Sequence, residues 1–430
     1  MTDFSKPDNQ FYRKFKRGYV MKNKILFFVF LVLAQALLHS QEVYDTTGGA
    51  VKFEFKYQKG DKERILSTVN EDVYYNMVLS HSSTIINRVT SCVTETFPDG
   101  SGTLECTFMT SENSTGSYTG KTFSWGEEYK SVFTRSALGV YTIDEKYFMP
   151  TVRDVPVFPD KEVKPGESWT SNGHEAHDLR HGFNIQTPYK VPFTATYTYL
   201  GKLENLHVFS VKYTMNFDSP SPQGSALYNE YPVSTMGFSD ETVYWDAEKG
   251  AIDHYTEKFR IVIETSYGNF FEFKGTAHAE VTEFETTNTK EKIEEVQKQV
   301  DDLGLKNVTV KQGEKGLTLS IENIKFKPDS AVLEESEKLK LDYIAEILKA
   351  YPNNDILVSG HTALAGTAKE RDRLSKERAE SVAAYLINLG VRNAKQIFTQ
   401  GFGSTKPIAP NTSEAGKAKN RRVEITIMDN

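Results

Sequence analysis

Apolar and polar residues alternate along this chain with two different periods. Between about Val43 and Glu285 the alternation is single. Phe53, Phe55 and Tyr57 share one parity and Lys52, Glu54 and Lys56 the other, and further on Tyr255, Phe259, Ile261 and Ile263 oppose Thr256, Lys258 and Arg260. A period of two puts successive side chains on opposite faces of a strand. Turn signals at Asp61, Asp99-Gly100, Glu248-Lys249-Gly250 and Tyr267-Gly268-Asn269 cut the run into strands. This predicts an antiparallel β-rich domain over 43–285, a sandwich or half-open barrel. From Asn288 to Leu303 the spacing turns helical, with Ile293, Val296, Val300 and Leu303 on one stripe. It predicts a linker helix capped by Asn288 and ended by Gly304, followed by a short strand, over 286–312.

Beyond 313 the two periods alternate. Leu317, Leu319 and Ile321 mark a strand, and Phe326 to Ser330 turn the chain. A helix carrying Leu339, Tyr343, Ile344, Ile347, Leu348 and Tyr351 stops at Pro352. Ile356 to Val358 read as a buried strand, and Leu374, Val382, Tyr385, Leu386 and Leu389 as a second helix closing at Gly390. Ile397 to Thr399 and Val423, Ile425 and Ile427 supply two more strands. The whole is an α+β multidomain chain whose last part packs helices on a mixed sheet.

Three motifs lie along that last part: Gly360-His361-Thr362-Ala363-Leu364-Ala365-Gly366, Leu374-Ser375-Lys376-Glu377-Arg378-Ala379 and Asn420-Arg421-Arg422-Val423-Glu424. In type, order and spacing they resemble the OmpA-like C-terminal domain over about 313–430, the family that clamps envelope proteins to peptidoglycan. The resemblance implies a βαβαβ-type fold and a non-catalytic pocket for the stem-peptide diamino acid. Thr362, Ala363 and Leu364 would form one rim, Arg378 would fork onto a carboxylate, Arg421 and Asp329 would line the pocket, and Arg371 stands where the family commonly has Asn. A guanidinium offers two parallel hydrogen bonds to a carboxylate, which Lys does not. Loops at strand-to-helix junctions also turn backbone N–H groups toward an anion. The family's aspartate, which holds the ligand ammonium, is replaced by Ala363. Two readings follow: a fold that has lost tight wall binding, or a wall built on another diamino acid such as ornithine, the reading favoured. His361 is expected to be structural. The competing reading of Arg378 and Arg421 is that they form ion pairs between helix and sheet.

The apolar run Ile25 to Leu38 follows Lys22 and Lys24. It is short for a membrane span, which takes about 20 residues, and reads as a secretory signal over 1–40, with Met21 as a candidate start. An uncleaved signal anchor is the alternative. No Cys follows the run, so a lipoprotein anchor at this position is not expected. An exported protein of the periplasm or outer membrane of a diderm bacterium is therefore expected. With 58 acidic against 51 basic side chains and a net charge of −7, nucleic acid is not an expected partner.

Cys92 and Cys106 flank the turn through Asp99-Gly100, and a disulfide between them is expected, worth about 3 kcal/mol in the chain-entropy model. The run His174 to His181 has metal-ligand residue types but lacks the H-E-x-x-H spacing, and is expected as a solvated loop without metal. No cofactor and no catalytic residue is assigned. The strand Ala277 to Phe284 makes a poor lipid face, and the prolines at 156, 159 and 165 are hard to thread through a barrel wall. A soluble β domain is therefore preferred to a membrane barrel. The expected function is a non-enzymatic tether between envelope and peptidoglycan. The alternatives are a carrier or partner-binding β domain, taking a hydrophobic ligand or another envelope protein, that uses the last domain as a localiser, or an outer-membrane barrel.

Overall fold

The computed structural model describes residues 42–113, 123–221, 229–282, 287–327 and 330–429. The expected signal segment, Phe284 and Asp329 lie outside them.

The β domain is one continuous antiparallel sheet of twelve strands that is nearly closed. Its strands are β1 (Lys62–Tyr75), β2 (Val78–Thr96), β3 (Gly102–Asn113), β4 (Phe123–Arg135), β5 (Tyr141–Ile143), β6 (Val152–Arg153), β7 (Ser168–His177), β8 (Tyr189–Leu203), β9 (Leu206–Asp218), β10 (Pro232–Asp246), β11 (Ala251–Thr265) and β12 (Phe270–Thr282). Neighbours in sequence pair from β2 through β5 and from β6 through β12, and β1 joins the two runs by pairing with both β2 and β12. The barrel stays open between β5 and β6. The prolines at 156, 159 and 165 fall in the long connection between β6 and β7, outside the named strands.

Single alternation decides what faces inward. On β8 Val191, Phe193, Ala195, Tyr197 and Tyr199 are buried while Pro192, Thr194 and Thr196 are exposed. On β9 Val211, Tyr213 and Met215 are buried while Lys212, Thr214 and Asn216 are exposed. The interior is packed with rings, among them Phe53, Phe55, Phe158, Phe209 and Trp245, several in edge-to-face contact. Three carboxyls are buried on the same side: Glu175 accepts from the Tyr213 hydroxyl at 2.9 Å, and Ser239 Oγ lies 2.8 Å from Glu257 Oε1 and 3.4 Å from Glu241 Oε1.

The expected disulfide is not formed, and both cysteines are free thiols. Counting outward from the pair Thr96–Gly102, an unbroken ladder would set Cys92 opposite Cys106. A bulge between Val93 and Glu95 uses up one residue of β2, so Cys106 faces Ser91 and Cys92 faces Glu105. A one-residue slip also turns the two side chains to opposite faces. Cys106 joins Leu104, Phe108 and Phe133 inside, where burial pushes its thiol up to about 12. The histidine run is not a loop either. Through His177 it is the end of β7, and α1 (Arg180–Phe183) follows. His177 Nε2 lies 2.9 Å from Glu175 Oε2.

The C-terminal part comprises α2 (Lys290–Asp302), β13 (Val308–Gln312), β14 (Gly316–Glu322), α3 (Glu335–Lys349), β15 (Ile356–Gly360), α4 (Ala368–Asn388), β16 (Ile397–Gly401), α5 (Glu414–Asn420) and β17 (Arg422–Met428). Its sheet runs β13-β14-β17-β15-β16, antiparallel except for the parallel pair β15–β16. Val423, Ile425 and Ile427 meet Leu341, Ile344, Leu348, Val382 and Leu386 in an almost wholly aliphatic core. The helix expected as a linker contributes Val296 and Val300 to that core, and its cap is Thr289 rather than Asn288. Leu339 and Tyr343, expected inside, face outward with 59% and 40% exposure. Glu337, Leu341, Ile344 and Leu348 form the buried stripe of α3 instead.

The other face of this sheet is covered by the barrel. Leu357, Phe398 and Met428 pack on Ile86 of β2 and Met109 of β3. Strand β16 pairs in parallel with the start of β4 at Phe398–Phe123 and Thr399–Ser124. Asp355 forms a buried ion pair with Arg88, and Arg64 Nη1 lies 4.0 Å from the same carboxylate. Arg64 also donates to the Asn353 carbonyl at 2.8 Å, and Lys315 bonds Glu128. Among the described residues no helix is long and apolar enough to cross a membrane, an observation that does not bear on strands.

Candidate functional site

The first motif folds to the loop after β15, the second lies on α4, and the third runs from the end of α5 into β17. Gly360 ends β15 where a Cβ would fall 2.0 Å from the Ser375 carbonyl oxygen, so strand and helix α4 touch backbone to backbone there. The chain then passes through His361 to Gly366, which takes a positive φ of 69° and turns it into α4. Thr367 and Glu370 close a capping box that satisfies the first N–H groups of the helix.

Backbone and side-chain bonds fix this rim. Thr362 N donates to the Gly403 carbonyl at 2.8 Å and Leu364 N to Asn411 Oδ1 at 3.1 Å. Asn420, completely buried, donates from Nδ2 to the Ala409 carbonyl and to Asn411 Oδ1, and accepts from Ile408 N and Ala409 N. Asn420 was visible in the third motif but carried no assigned role. Its part is to hold the 408–411 loop against the 361–366 loop. Arg371 Nη1 donates to the Gly366 carbonyl at 2.5 Å. Among the described residues, Thr362 Oγ1 and Arg371 Nε are buried without a hydrogen-bond partner.

Arg378, on the third turn of α4, is half-buried. Its guanidinium lies 4.8 Å above the Phe326 ring, and its Nε points at the Ser330 carbonyl at 3.4 Å, near the limit of a hydrogen bond. This cation–π seat on the turn after β14 was not read from the sequence, although Phe326 stands in the quoted turn. Arg421 caps α5 at its C-terminal end, where a cation is favoured by the helix dipole. The carbonyl of Arg421 accepts from Asn323 N at 2.9 Å. The contacts thus set Arg371 with the Thr362–Leu364 loop, Arg378 with the 326–330 turn and Arg421 with the end of β14. Asp329 belongs to that turn but lies outside the described residues.

Ala363 is buried, 6% exposed, and offers its surroundings only a methyl group. His361 is buried and stacks on Phe402 with ring centroids 5.1 Å apart. Its Nε2 is 3.6 Å from Glu424 Oε2, too long for a hydrogen bond, and burial lowers its pKa, so the ring is neutral. Burial pushes the Glu424 carboxyl up, but Lys311 Nζ at 2.6 Å and Arg422 Nε at 2.9 Å outweigh burial and hold it well below the usual carboxylate range. This ionised cluster is structural.

The C-terminal part is thus a mixed sheet with helices on one face, on which Arg371, Arg378 and Arg421 each meet a different loop or turn. Residues 325–421 match the OmpA family, and the chain carries a domain of that family. It is similar to the probable lipoprotein YiaD of Escherichia coli (strain K12), 45% identical over 105 residues, which is 24% of this chain and 48% of that protein. It is also similar to the peptidoglycan-binding protein ArfA of Mycobacterium tuberculosis (strain ATCC 25618 / H37Rv), 40% identical over 104 residues, 24% of this chain and 32% of that protein. The crystal structure of the peptidoglycan-associated lipoprotein from Burkholderia pseudomallei aligns at 33% identity over 25% of this chain and 87% of its own, with a TM-score of 0.22. The chain spans about half or less of the length of the two curated relatives.

Proposed function

We propose that this is a non-enzymatic protein of the bacterial envelope that associates with peptidoglycan through its OmpA-family domain. The observation that carries the reading is the Arg378 guanidinium held on Phe326 beside strand-end loops whose motifs match that family. In this reading Arg378 and Arg421 take the carboxylate of the stem-peptide diamino acid, and Thr362, Leu364, Arg371 and Asp329 complete the rim. Ala363 offers nothing to an ammonium, which suits a ligand without a free amino-acid end group at that position. Relatives named as lipoprotein, outer membrane protein and peptidoglycan-binding protein support an exported, periplasmic or outer-membrane setting.

The barrel is read as an aqueous module. A membrane barrel needs an apolar outward band on nearly every strand. Here Thr194, Thr196, Lys212, Thr214 and Asn216 face outward, and the outer side of β2 and β3 is occupied by the C-terminal domain.

The test is co-sedimentation of the whole chain with peptidoglycan from its host and with a diaminopimelate-containing wall. The expected result is retention by the host wall, weakened about ten- to a hundredfold in Arg378→Ala, the worth of a hydrogen bond to a charged group. Stronger retention by the diaminopimelate wall would contradict the role given to Ala363. Retention by neither wall would leave the reading without its ligand and refute it.

A further inference from the structure

The barrel has a site of its own. Where the segment through Phe55 and Tyr57 crosses one end of the barrel, a cleft of about 680 Å³ opens beside the ends of β1, β2, β3 and β12 and the β10–β11 turn. Pockets that hold small molecules span about 300–1,000 Å³. Val93, Leu104, Val281 and the two rings give it apolar walls.

Arg135, at the end of β4, lines this cleft. Its guanidinium lies 3.8 Å above the Phe55 ring, Nε donates to the Tyr57 hydroxyl at 2.7 Å, and Nη1 is 3.4 Å from the Tyr141 hydroxyl. These partners are one ring and two hydroxyls, with no carboxylate among them. Among the described residues Arg135 makes no salt bridge, and Nη2 has no acceptor. Rings and hydroxyls hold the plane of the cation in place while one edge is left for an incoming oxygen pair.

Glu63, on β1, lines the same cleft, half-buried, with neither a hydrogen bond nor a salt bridge to the protein among the described residues. Burial raises its pKa, and Arg135 and Lys249 pull the other way. The remaining charges are engaged or at the rim: Lys56 Nζ donates to the carbonyls of Ala247 and Glu248, Lys249 is exposed and pairs with Asp246 at 3.7 Å, and Lys62, Asp61 and Glu248 are exposed. The cleft therefore offers a half-buried cation and a half-buried anion, neither compensated by direct contact. A purely apolar ligand would strip water from both without replacing its hydrogen bonds, and a simple anion would add charge beside Glu63. A zwitterion serves both.

We propose that this cleft binds a zwitterionic amino acid or short peptide, with its carboxylate on Arg135, its ammonium on Glu63 and an apolar side chain against Val93 and Leu104. The site is independent of the wall-binding loops and of their ligand.

The test is calorimetric titration of the whole chain with free leucyl-leucine, valyl-leucine and phenylalanyl-leucine, with their N-acetyl and C-amide forms, and with octanoate. Free dipeptides are expected to bind, and either blocking group to weaken binding about ten- to a hundredfold. Glu63→Gln should erase the discrimination against the N-acetyl form and keep that against the amide, and Arg135→Gln the reverse. Since Arg135 is packed on Phe55 and its replacement can disturb the fold, the Glu63→Gln result decides by itself. Absence of binding by every free dipeptide, octanoate binding as well as they do, or unchanged discrimination in Glu63→Gln would overturn the proposal.

Discussion

The barrel interior collects Phe53, Phe55, Phe158, Phe193, Phe209, Tyr197, Tyr199, Tyr213 and Trp245, whereas the C-terminal core collects Leu, Ile, Val and Ala with one Phe and one Tyr. A sheet closing on itself must fill its centre from strands some distance apart, and rings reach that far. A sheet with helices laid on it brings the two layers together, and branched aliphatic chains fill the space. The barrel's larger interior also admits polar atoms, so Glu175, Glu241 and Glu257 sit among the rings. In the C-terminal domain charge is buried on the sheet face away from the helices, around Glu424 and Asp355, and also on the helices, at Glu337 of α3 and Glu380 of α4. The comparison teaches that the first region holds its inward carboxyls against hydroxyls, whereas the second holds Glu337, Asp355 and Glu424 against cations.

The boundary itself is the place to break the comparison most severely. Asp355 is the carboxylate between Arg88 and Arg64, and Asp355→Ala leaves two buried guanidinium groups facing Leu357 and Phe398. Loss of one partner of a buried pair costs about 3–5 kcal/mol. Denaturant unfolding should show that loss together with separation into two transitions, one for each region. A single transition displaced by less than about 1 kcal/mol would mean that the interface couples them little.

The barrel's carboxyls sharpen the contrast through pH. Burial raises Glu241 well above the usual range and pushes Glu257 up to about 7, while the Ser239 hydroxyl draws both back. A single hydroxyl proton cannot serve both, and the shorter contact is to Glu257. The folded state thus keeps a proton on the pair to a higher pH than the unfolded chain does. The associated stability is complete below about pH 4.5 and is lost as the pH rises through about 7. Glu257→Gln should be the more stable protein at pH 8, by about 1–3 kcal/mol, and should show a flatter profile between pH 5 and 8. Equal slopes for the two proteins across that range would remove the pair from the account.

The smallest effect belongs to the C-terminal side. Thr367→Ala opens the capping box at the start of α4, an exposed substitution expected to cost about 1 kcal/mol and to leave the barrel transition where it is.

Much of this was legible along the chain. Single alternation marked the barrel strands and their inward parity, and the spacing of Val382, Leu386, Ile344 and Leu348 marked the helices. The motif trio marked the loops that come together around Thr362, Arg371 and Asn420. The failures have local causes. Leu339 and Tyr343 fit a helical stripe as well as Leu341 and Leu348 do, and only the position of the sheet selects between two adjacent stripes. Cys92 missed Cys106 by one residue because of the bulge between Val93 and Glu95, and no residue type announces a bulge.

The sequence by itself therefore determined periodicity, the turns and the family of the last domain, because these depend on residues near one another in the chain or on motifs kept intact. Tertiary structure alone decided which groups meet across long separations: Arg88 with Asp355, Arg378 with Phe326, and Arg135 with Phe55 and Tyr57. Arg88 and Arg135 look like any solvated arginine in the sequence, and Arg378, though marked by its motif, carries no sign there of its ring partner. A guanidinium acquires its role from what desolvates it and from which acceptors remain within reach, and both are properties of the packed molecule.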